Sequence, residues 1–282
     1  MPRVALATSQ ALPGLDGDSV LLVPALASLG IDAQPAVWDD PAVDWSAYDL
    51  VVVRSTWDYV ARREEFLAWA RAVPRLLNPA DVLAWNTDKT YLRDLDAAGV
   101  PVVPTTWVAP GEAYAPPAGA VVVKPTVSAG ARDTERHEDA RGAAPLVARL
   151  HAEGRTAMVQ PYLDGIDTAG ETAVLLFDGA PSHGARKAPL LAGLPVDPDD
   201  DLAVMQAREP SPAELEVARA AVAAVPGGER LLYARVDLVP GPDGAPVVLE
   251  LELTEPSLFL RYAPGSAQRC ARAIAARLPR TG

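Results

Sequence analysis

Three lysines stand out in a chain that otherwise uses arginine for positive charge. Of 25 Lys and Arg residues, only Lys89, Lys124 and Lys187 are lysine. Lys124 closes the apolar run GAVVVK and is followed by Pro125 and a small-residue turn, VSAG (127–130). Lysine is a compact point charge on a flexible stem, whereas arginine is a planar fork. Point charges reaching one place from two elements suit a polyphosphate, so Lys89 and Lys124 are candidates to hold one. Taken singly, each also reads as a surface lysine. The turn formed by Ser128, Ala129 and Gly130 can bring backbone N–H groups against phosphate oxygens, although turns of this kind are common.

A second group is acidic. ARVDLV (234–239) places Asp237 within a strand, and VVLELELTEP (247–256) places Glu250 and Glu252 two residues apart. Period-two geometry sets those two glutamates on one face. Carboxylates crowded on a face of otherwise apolar strands repel unless a cation lies between them, and hard oxygen donors suit Mg²⁺. The alternative is a solvent-exposed edge face. A third stretch, MVQPYLDGID (158–167), ends an apolar strand in Gln160, Tyr162 and Leu163 with Asp164 and Asp167 behind. Such an edge can pair with an adenine and a carboxylate can accept from ribose hydroxyls. A plain Asp-Gly turn fits equally.

The elements that must position these groups alternate between strand and helix, which favours α/β or α+β. Strands are predicted at 3–8, 32–38, 49–55, 105–109, 119–124, 156–161, 172–178, 231–239 and 246–253. Helices are predicted at 19–29, 87–98, 139–152 and 265–278, with Lys89 one turn into the second. Ser211-Pro212-Ala213-Glu214 is a capping box opening a helix to about 225. LPVDPDDDL (194–202) reads as an exposed loop. A net charge of −12 argues against a nucleic-acid or anionic-membrane partner. The absence of an 18-residue apolar run gives no membrane span. One cysteine, Cys270, allows no internal disulfide, fits a reducing cytoplasm, and reads as a buried structural thiol. His137, His151 and His183 lack metal-ligand spacing and read as surface or loop residues. No G-x-G-x-x-G follows the first strand, which disfavours a nicotinamide dehydrogenase.

In order, Asp88-Lys89, Lys124-Pro125 with its small-residue loop, Gln160-Pro161-Tyr162-Leu163 with Asp167, and Asp237 followed by Glu250-x-Glu252 resemble the ATP-grasp superfamily, in its glutathione-synthetase-like branch. The resemblance covers about residues 76–260, including GARKAP (184–189). It implies an α+β ATP-grasp fold: an N-terminal α/β domain (1–86), a central lid subdomain (87–168) and a C-terminal sheet subdomain (169–282). It implies ATP and Mg²⁺ as cofactors. Lys89 and Lys124 would hold ATP phosphates, Ser128, Ala129 and Gly130 would form a lid loop, and Gln160, Tyr162 and Leu163 would line adenine. Asp167 would take the ribose, Arg186, with Lys124, would act on the transferring phosphate, and Asp237, Glu250 and Glu252 would hold Mg²⁺. Two positions depart from the pattern: Gln160 replaces the usual hinge acid, and Glu252 replaces an asparagine.

STWDY (55–59), WDDPAVDW (38–45) and ELELTEP (250–256) further resemble the ATP-grasp cyclo-ligases that close O-ureido-D-serine into D-cycloserine. The implied partner is a small amino-acid-like substrate, with Arg54, Ser55, Asp58, Tyr59 and Glu255 facing it. Packing by Trp57 and Tyr59, with Asp58 in a turn, is the other reading. A homodimer is expected from the family. An intermolecular carboxylate-amine ligase and a non-catalytic ATP-binding module are the alternatives.

Overall fold

The structure is a computed structural model that describes residues 1–188 and 205–279. The acidic stretch 194–202 lies outside the described residues. The first sheet is parallel, in the order β2-β1-β3-β4: β1 is Arg3–Thr8, β2 Asp32–Val37, β3 Leu50–Ser55 and β4 Leu76–Leu77. Every residue of β3, LVVVRS, is buried. This is what a central parallel strand covered on both faces requires. Helices α1 (Leu22–Ala27) and α2 (Arg63–Ala72) accompany this sheet.

Two short helices follow, α3 (Ala80–Asn86) and α4 (Tyr91–Ala97). Lys89 is therefore in the turn between two helices and not one turn inside a helix. Asp88 explains the break: its side chain accepts from the Thr90 N–H at 3.0 Å, a local bond that competes with helix continuation. The turn is tied outward, because the Lys89 N–H donates to the Thr126 carbonyl at 2.8 Å.

The second sheet is antiparallel, in the order β5-β8-β6-β7, from β5 (Thr106–Val108), β6 (Val121–Pro125), β7 (Glu135–His137) and β8 (Ala157–Pro161). Helix α5 (Ala144–Ala152) buries Leu146, Val147 and Leu150 against it. After α6 (Gly165–Ala169) comes the third sheet, also antiparallel, in the order β11-β10-β9-β12-β13. Its strands are β9 (Glu171–Phe177), β10 (Ala180–Lys187), β11 (Met205–Arg208), β12 (Tyr233–Pro240) and β13 (Pro246–Glu252). Helices α7 (Pro212–Ala223) and α8 (Ser266–Ala276) complete the chain, and the Ser211–Glu214 capping box is formed.

The third sheet is covered on both faces. Val174, Leu176, Val236 and Leu238 pack toward α4 and α7. Leu175, Phe177 and Tyr233 share a core with Val4, Leu6 and Leu26 of the first sheet and its helix, and with Ile274 of α8. Cys270 lies in this core, where burial pushes its thiol up to about 12. The odd-numbered face of β12 thus looks into the junction between the first and third sheets.

Candidate active site

The register of β12 and β13 pairs Asp237 with Glu250 and Arg235 with Glu252. On the other side, β9 pairs Glu171 with Lys187 of β10, and Ala173 with both Ala185 and Asp237. Directly paired residues share a face, as do residues two apart. Lys187, Glu171, Asp237, Arg235, Glu250 and Glu252 therefore crowd one face at one end of the sheet.

Contacts follow from that placement. The Lys187 Nζ lies 2.5 Å from Asp237 Oδ2 and 3.8 Å from Glu171. Arg235 Nε donates to Asp237 Oδ1 at 3.0 Å, and its Nη2 closes on Glu252. From the turn between α3 and α4, Lys89 Nζ meets Glu250 at 3.1 Å and donates to the Ser128 carbonyl at 2.6 Å. Lys124, on β6, is 8% exposed in the same field. Burial pushes its ammonium below the usual lysine value; Glu250 opposes that and Lys89 adds to it. All three lysines of the chain converge here.

The carboxyls respond unevenly. Burial would raise Asp237, but Arg235 and Lys187 hold it below the ordinary carboxylate value. Glu250 is likewise buried yet held low by Lys89 and Lys124. Burial raises Glu171, and it pushes Glu252 up to about 7 and Glu255 up to about 8. Five carboxyls share four cations, Lys89, Lys124, Lys187 and Arg235, and Glu171, Glu252 and Glu255 are the ones left raised.

The cations between the acidic residues are thus the protein's own. Among the described residues, no three His, Cys, Asp or Glu side chains are arranged as a ready metal cage. The donor set still fits Mg²⁺. It is all carboxylate oxygen, and its present partners are side chains on flexible stems that can move aside.

Two expected residues are placed differently. Arg186 was expected on the transferring phosphate, but adjacent strand residues point to opposite faces. It donates from Nε to the Ala169 carbonyl at 2.6 Å and from Nη2 to the Thr168 carbonyl at 2.7 Å, behind the cluster. Lys187 occupies the position facing the carboxylates. Asp58 was expected to face the substrate; it accepts from the Trp38 indole at 3.0 Å and lies near Arg62. Lysine scarcity, the signal that marked Lys124, also marks Lys187. Arg235 was missed too, and its signal was a charged residue two before Asp237 in an apolar strand.

Arg54 and Ser55 belong to a buried network under the site. Arg54 donates to Ser19 Oγ, the Val53 carbonyl and the Pro256 carbonyl at 3.2, 3.2 and 2.5 Å. Ser55 Oγ accepts from Thr8 Oγ1 and the Asp16 N–H. Tyr59 is 4% exposed and packs on Phe66, with ring centroids 5.2 Å apart. Burial raises its hydroxyl well above the ordinary value, and Glu255, Glu252 and Glu250 add to that. It thus packs as a core residue and also borders the carboxylates.

Of the expected nucleotide residues outside the cluster, Gln160 is 2% exposed and donates to Thr105 Oγ1 at 2.9 Å. Tyr162 donates to Asp167 at 2.5 Å under the Arg136 guanidinium. Leu163 packs with Val103 and Val239 where the second and third sheets meet. Ser128 is buried against Lys89; Ala129 is half-buried, and Gly130 is exposed with φ +61°, a conformation that favours glycine.

The irregular segment after β13 is held by side chains. Its buried carbonyls have no ladder and must find donors. Asn78 donates to Leu253 at 2.7 Å, Tyr233 to Thr254 at 2.9 Å and Trp57 to Glu255 at 3.1 Å. Arg54 serves Pro256, Arg235 serves Ser257 at 3.2 Å, and His183 Nε2 contacts Leu258 at 2.8 Å. His183 is thus a strand residue with a structural role. Burial lowers it to about 4, so it stays neutral.

A model of the N-terminal domain of D-cycloserine synthetase DcsG matches residues 4–78. The cycloserine biosynthesis protein DcsG of Streptomyces lavendulae is 40% identical over 302 residues, covering 99% of this chain and 99% of that protein. The chain belongs to the DcsG family. A crystal structure of D-cycloserine synthetase DcsG superposes with a TM-score of 0.88 at 38% identity, covering 98% of this chain and 100% of that one. An ATP-grasp RimK domain protein from Sphaerobacter thermophilus superposes at 0.69 with 19% identity, over 99% of both chains. The DcsG family fold is therefore ATP-grasp, and the chain is a ligase. Among the described residues, no helix is long and apolar enough to cross a membrane.

Proposed function

We propose that this enzyme closes O-ureido-D-serine to D-cycloserine with conversion of ATP to ADP and phosphate. The observation that carries the chemistry is the convergence of Lys89, Lys124 and Lys187 on one buried set of carboxylates. Whole-length likeness to a D-cycloserine synthetase supports the substrate. Lys89 and Lys124 would bind the β- and γ-phosphates, drawing Lys89 away from Glu250. Lys187 would neutralise charge on the transferring group. Asp237, Glu250 and Glu252 would hold Mg²⁺, which when bound screens the phosphates and polarises the γ-phosphoryl group. Gln160, Tyr162, Leu163 and Asp167 would seat adenine and ribose.

The substrate carboxylate attacks the γ-phosphorus, giving an acyl phosphate and ADP. The ureido nitrogen of the same molecule then displaces phosphate and closes the ring. Water removes the carbamoyl group as ammonia and CO₂. A buried site suits this sequence, because free water would hydrolyse the acyl phosphate. Holding nitrogen and carbonyl in one molecule removes the entropy of a second encounter.

The test supplies the enzyme with Mg²⁺, ATP and O-ureido-D-serine as sole substrate, and follows phosphate release with mass spectrometry of the product. D-cycloserine with ADP supports the reading. Turnover only when a second amine is added would replace it with the intermolecular ligase.

A further inference from the structure

The five carboxyls of the site are not equivalent. Glu171 lies 3.8 Å from Lys187, Asp237 is held by Lys187 and Arg235, Glu250 meets Lys89 at 3.1 Å, and Glu252 meets Arg235. Among the described residues, Glu255 makes no hydrogen bond or ion pair through its carboxyl. Yet it is only 8% exposed, and a buried carboxyl without a partner is costly. Its backbone is the opposite of loose. Its carbonyl and those on either side are held by Tyr233, Trp57 and Arg54, which come from both the first and third sheets. Such support fixes a functional group to the precision that catalysis needs. Glu255 also stands at the C-terminal end of β3, beside Tyr59, where open α/β sheets bind small ligands.

Ring closure has a requirement that the phosphate machinery does not meet. The attacking nitrogen is amide-like, its lone pair delocalised into the ureido carbonyl, so it becomes a good nucleophile only as its proton leaves. Lys89, Lys124, Lys187 and Arg235 are donors. Asp237, Glu250 and Glu252 each accept from a cation, and Glu171 lies 3.8 Å from Lys187. Among the described residues of the cluster, Glu255 is the carboxyl with no cation against it.

We infer, resting on the cyclisation reading, that Glu255 is the general base of ring closure. Its carboxylate takes the proton from the ureido nitrogen as that nitrogen attacks the acyl carbon. The N–H bond breaks and a C–N bond forms; the bond from the acyl carbon to the phosphate oxygen breaks, and its electron pair leaves with phosphate. The proton stays on Glu255 until product leaves and water takes it.

The charge environment supports the role. Tyr59 faces Glu255 from the turn after β3, Tyr233 and Arg235 from β12, Glu250 and Glu252 from β13, and Lys89 from the turn between α3 and α4. Burial first, then Glu252 and Glu250, push it up to about 8, with Lys89 and Arg235 opposing.

The experiment compares wild type, Glu255→Gln and Glu255→Asp in three assays: D-cycloserine formation, KM for O-ureido-D-serine, and positional isotope exchange in β,γ-bridge-labelled ATP. The exchange reports acyl-phosphate formation without ring closure. Glu255→Gln is expected to lower the rate of D-cycloserine formation by about 10²- to 10⁴-fold, while exchange and KM stay near wild type. Glu255→Asp should recover part of that loss, and provides the same split should the Gln variant fail to fold. The wild-type rate should rise with pH toward a plateau, and the Gln variant should lose that rise. Undiminished product formation by Glu255→Gln would overturn the assignment. So would loss of exchange together with product, or a raised KM at full turnover, since either makes Glu255 a binding residue. Wild type that shows neither exchange nor ADP with this substrate would overturn the cyclisation reading itself.

Discussion

Two buried charge clusters sit within one protein and are built in opposite ways. At the end of the third sheet, Asp237, Glu250 and Glu252 are held by lysine and arginine side chains. Under the first sheet, Asp16 and Asp18 are held mainly by backbone. Asp16 Oδ1 accepts from the Asp18 and Ser19 N–H groups, both at 2.9 Å, and Asp18 Oδ1 accepts from the Leu260 N–H at 2.6 Å. Arg54 beside them spends its donors on Ser19 and two carbonyls. Burial would raise Asp16, but Arg54 and the local donors hold it low; burial leaves Asp18 raised despite Arg54. Backbone partners cannot leave without unfolding, whereas side-chain partners can rotate away when a ligand replaces them. The first-sheet cluster therefore holds two parts of the chain together, and the third-sheet cluster is free to exchange partners.

The largest expected effect breaks the fixed cluster. Arg54→Met leaves Asp16 and Asp18 buried without their cation and should destabilise the enzyme by about 3–5 kcal/mol in urea unfolding. An unchanged stability with a raised substrate KM would move Arg54 into the substrate site. Next, Lys187→Met should lower ADP release by about 10²- to 10³-fold, as loss of a donor at a developing charge does, with a smaller loss of stability than Arg54→Met because Arg235 still holds Asp237. Arg186→Met, on the opposite face, should leave turnover near wild type. The reverse ranking would restore Arg186 to the phosphate.

A pH series sharpens the contrast further. Glu255 has a folded value of about 8 against an ordinary 4.5. Between those values the unfolded chain has released this proton and the folded enzyme keeps it, so the native state binds more protons and stability falls as pH rises. Urea midpoints of the ligand-free enzyme should show that slope, and Glu255→Gln should flatten it. The smallest effect is expected for Asp58→Asn. It weakens the bond from the Trp38 indole, costs about 1 kcal/mol and leaves KM for O-ureido-D-serine unchanged. A large KM rise would put Asp58 back against the substrate.

Much of this architecture was legible because buried strands write themselves as apolar runs. VALAT, LVVVRS and VVVK each gave a strand, and the Ser211 capping box opened the helix it signals. Strand β10, APSHGARK, was not legible: its polar residues serve two faces, Lys187 the site and Arg186 the carbonyls behind it. Among the site residues, Lys124, Asp237, Glu250 and Glu252 could be read because each stands in an apolar strand, whereas Glu171, Lys187 and Arg235 were not picked out. The roles of Arg54, Asn78 and Trp57 could not. Each is defined by a carbonyl on the distant 253–256 segment, and such pairings exist only once the sheets have met.

The most direct test of carboxylate activation uses O-ureido-D-serine labelled with ¹⁸O in its carboxyl group, with ATP and Mg²⁺. An acyl phosphate carries one of those oxygens to phosphorus, so the phosphate released with D-cycloserine should contain one ¹⁸O atom. Released phosphate without ¹⁸O, alongside full product formation, would contradict the account.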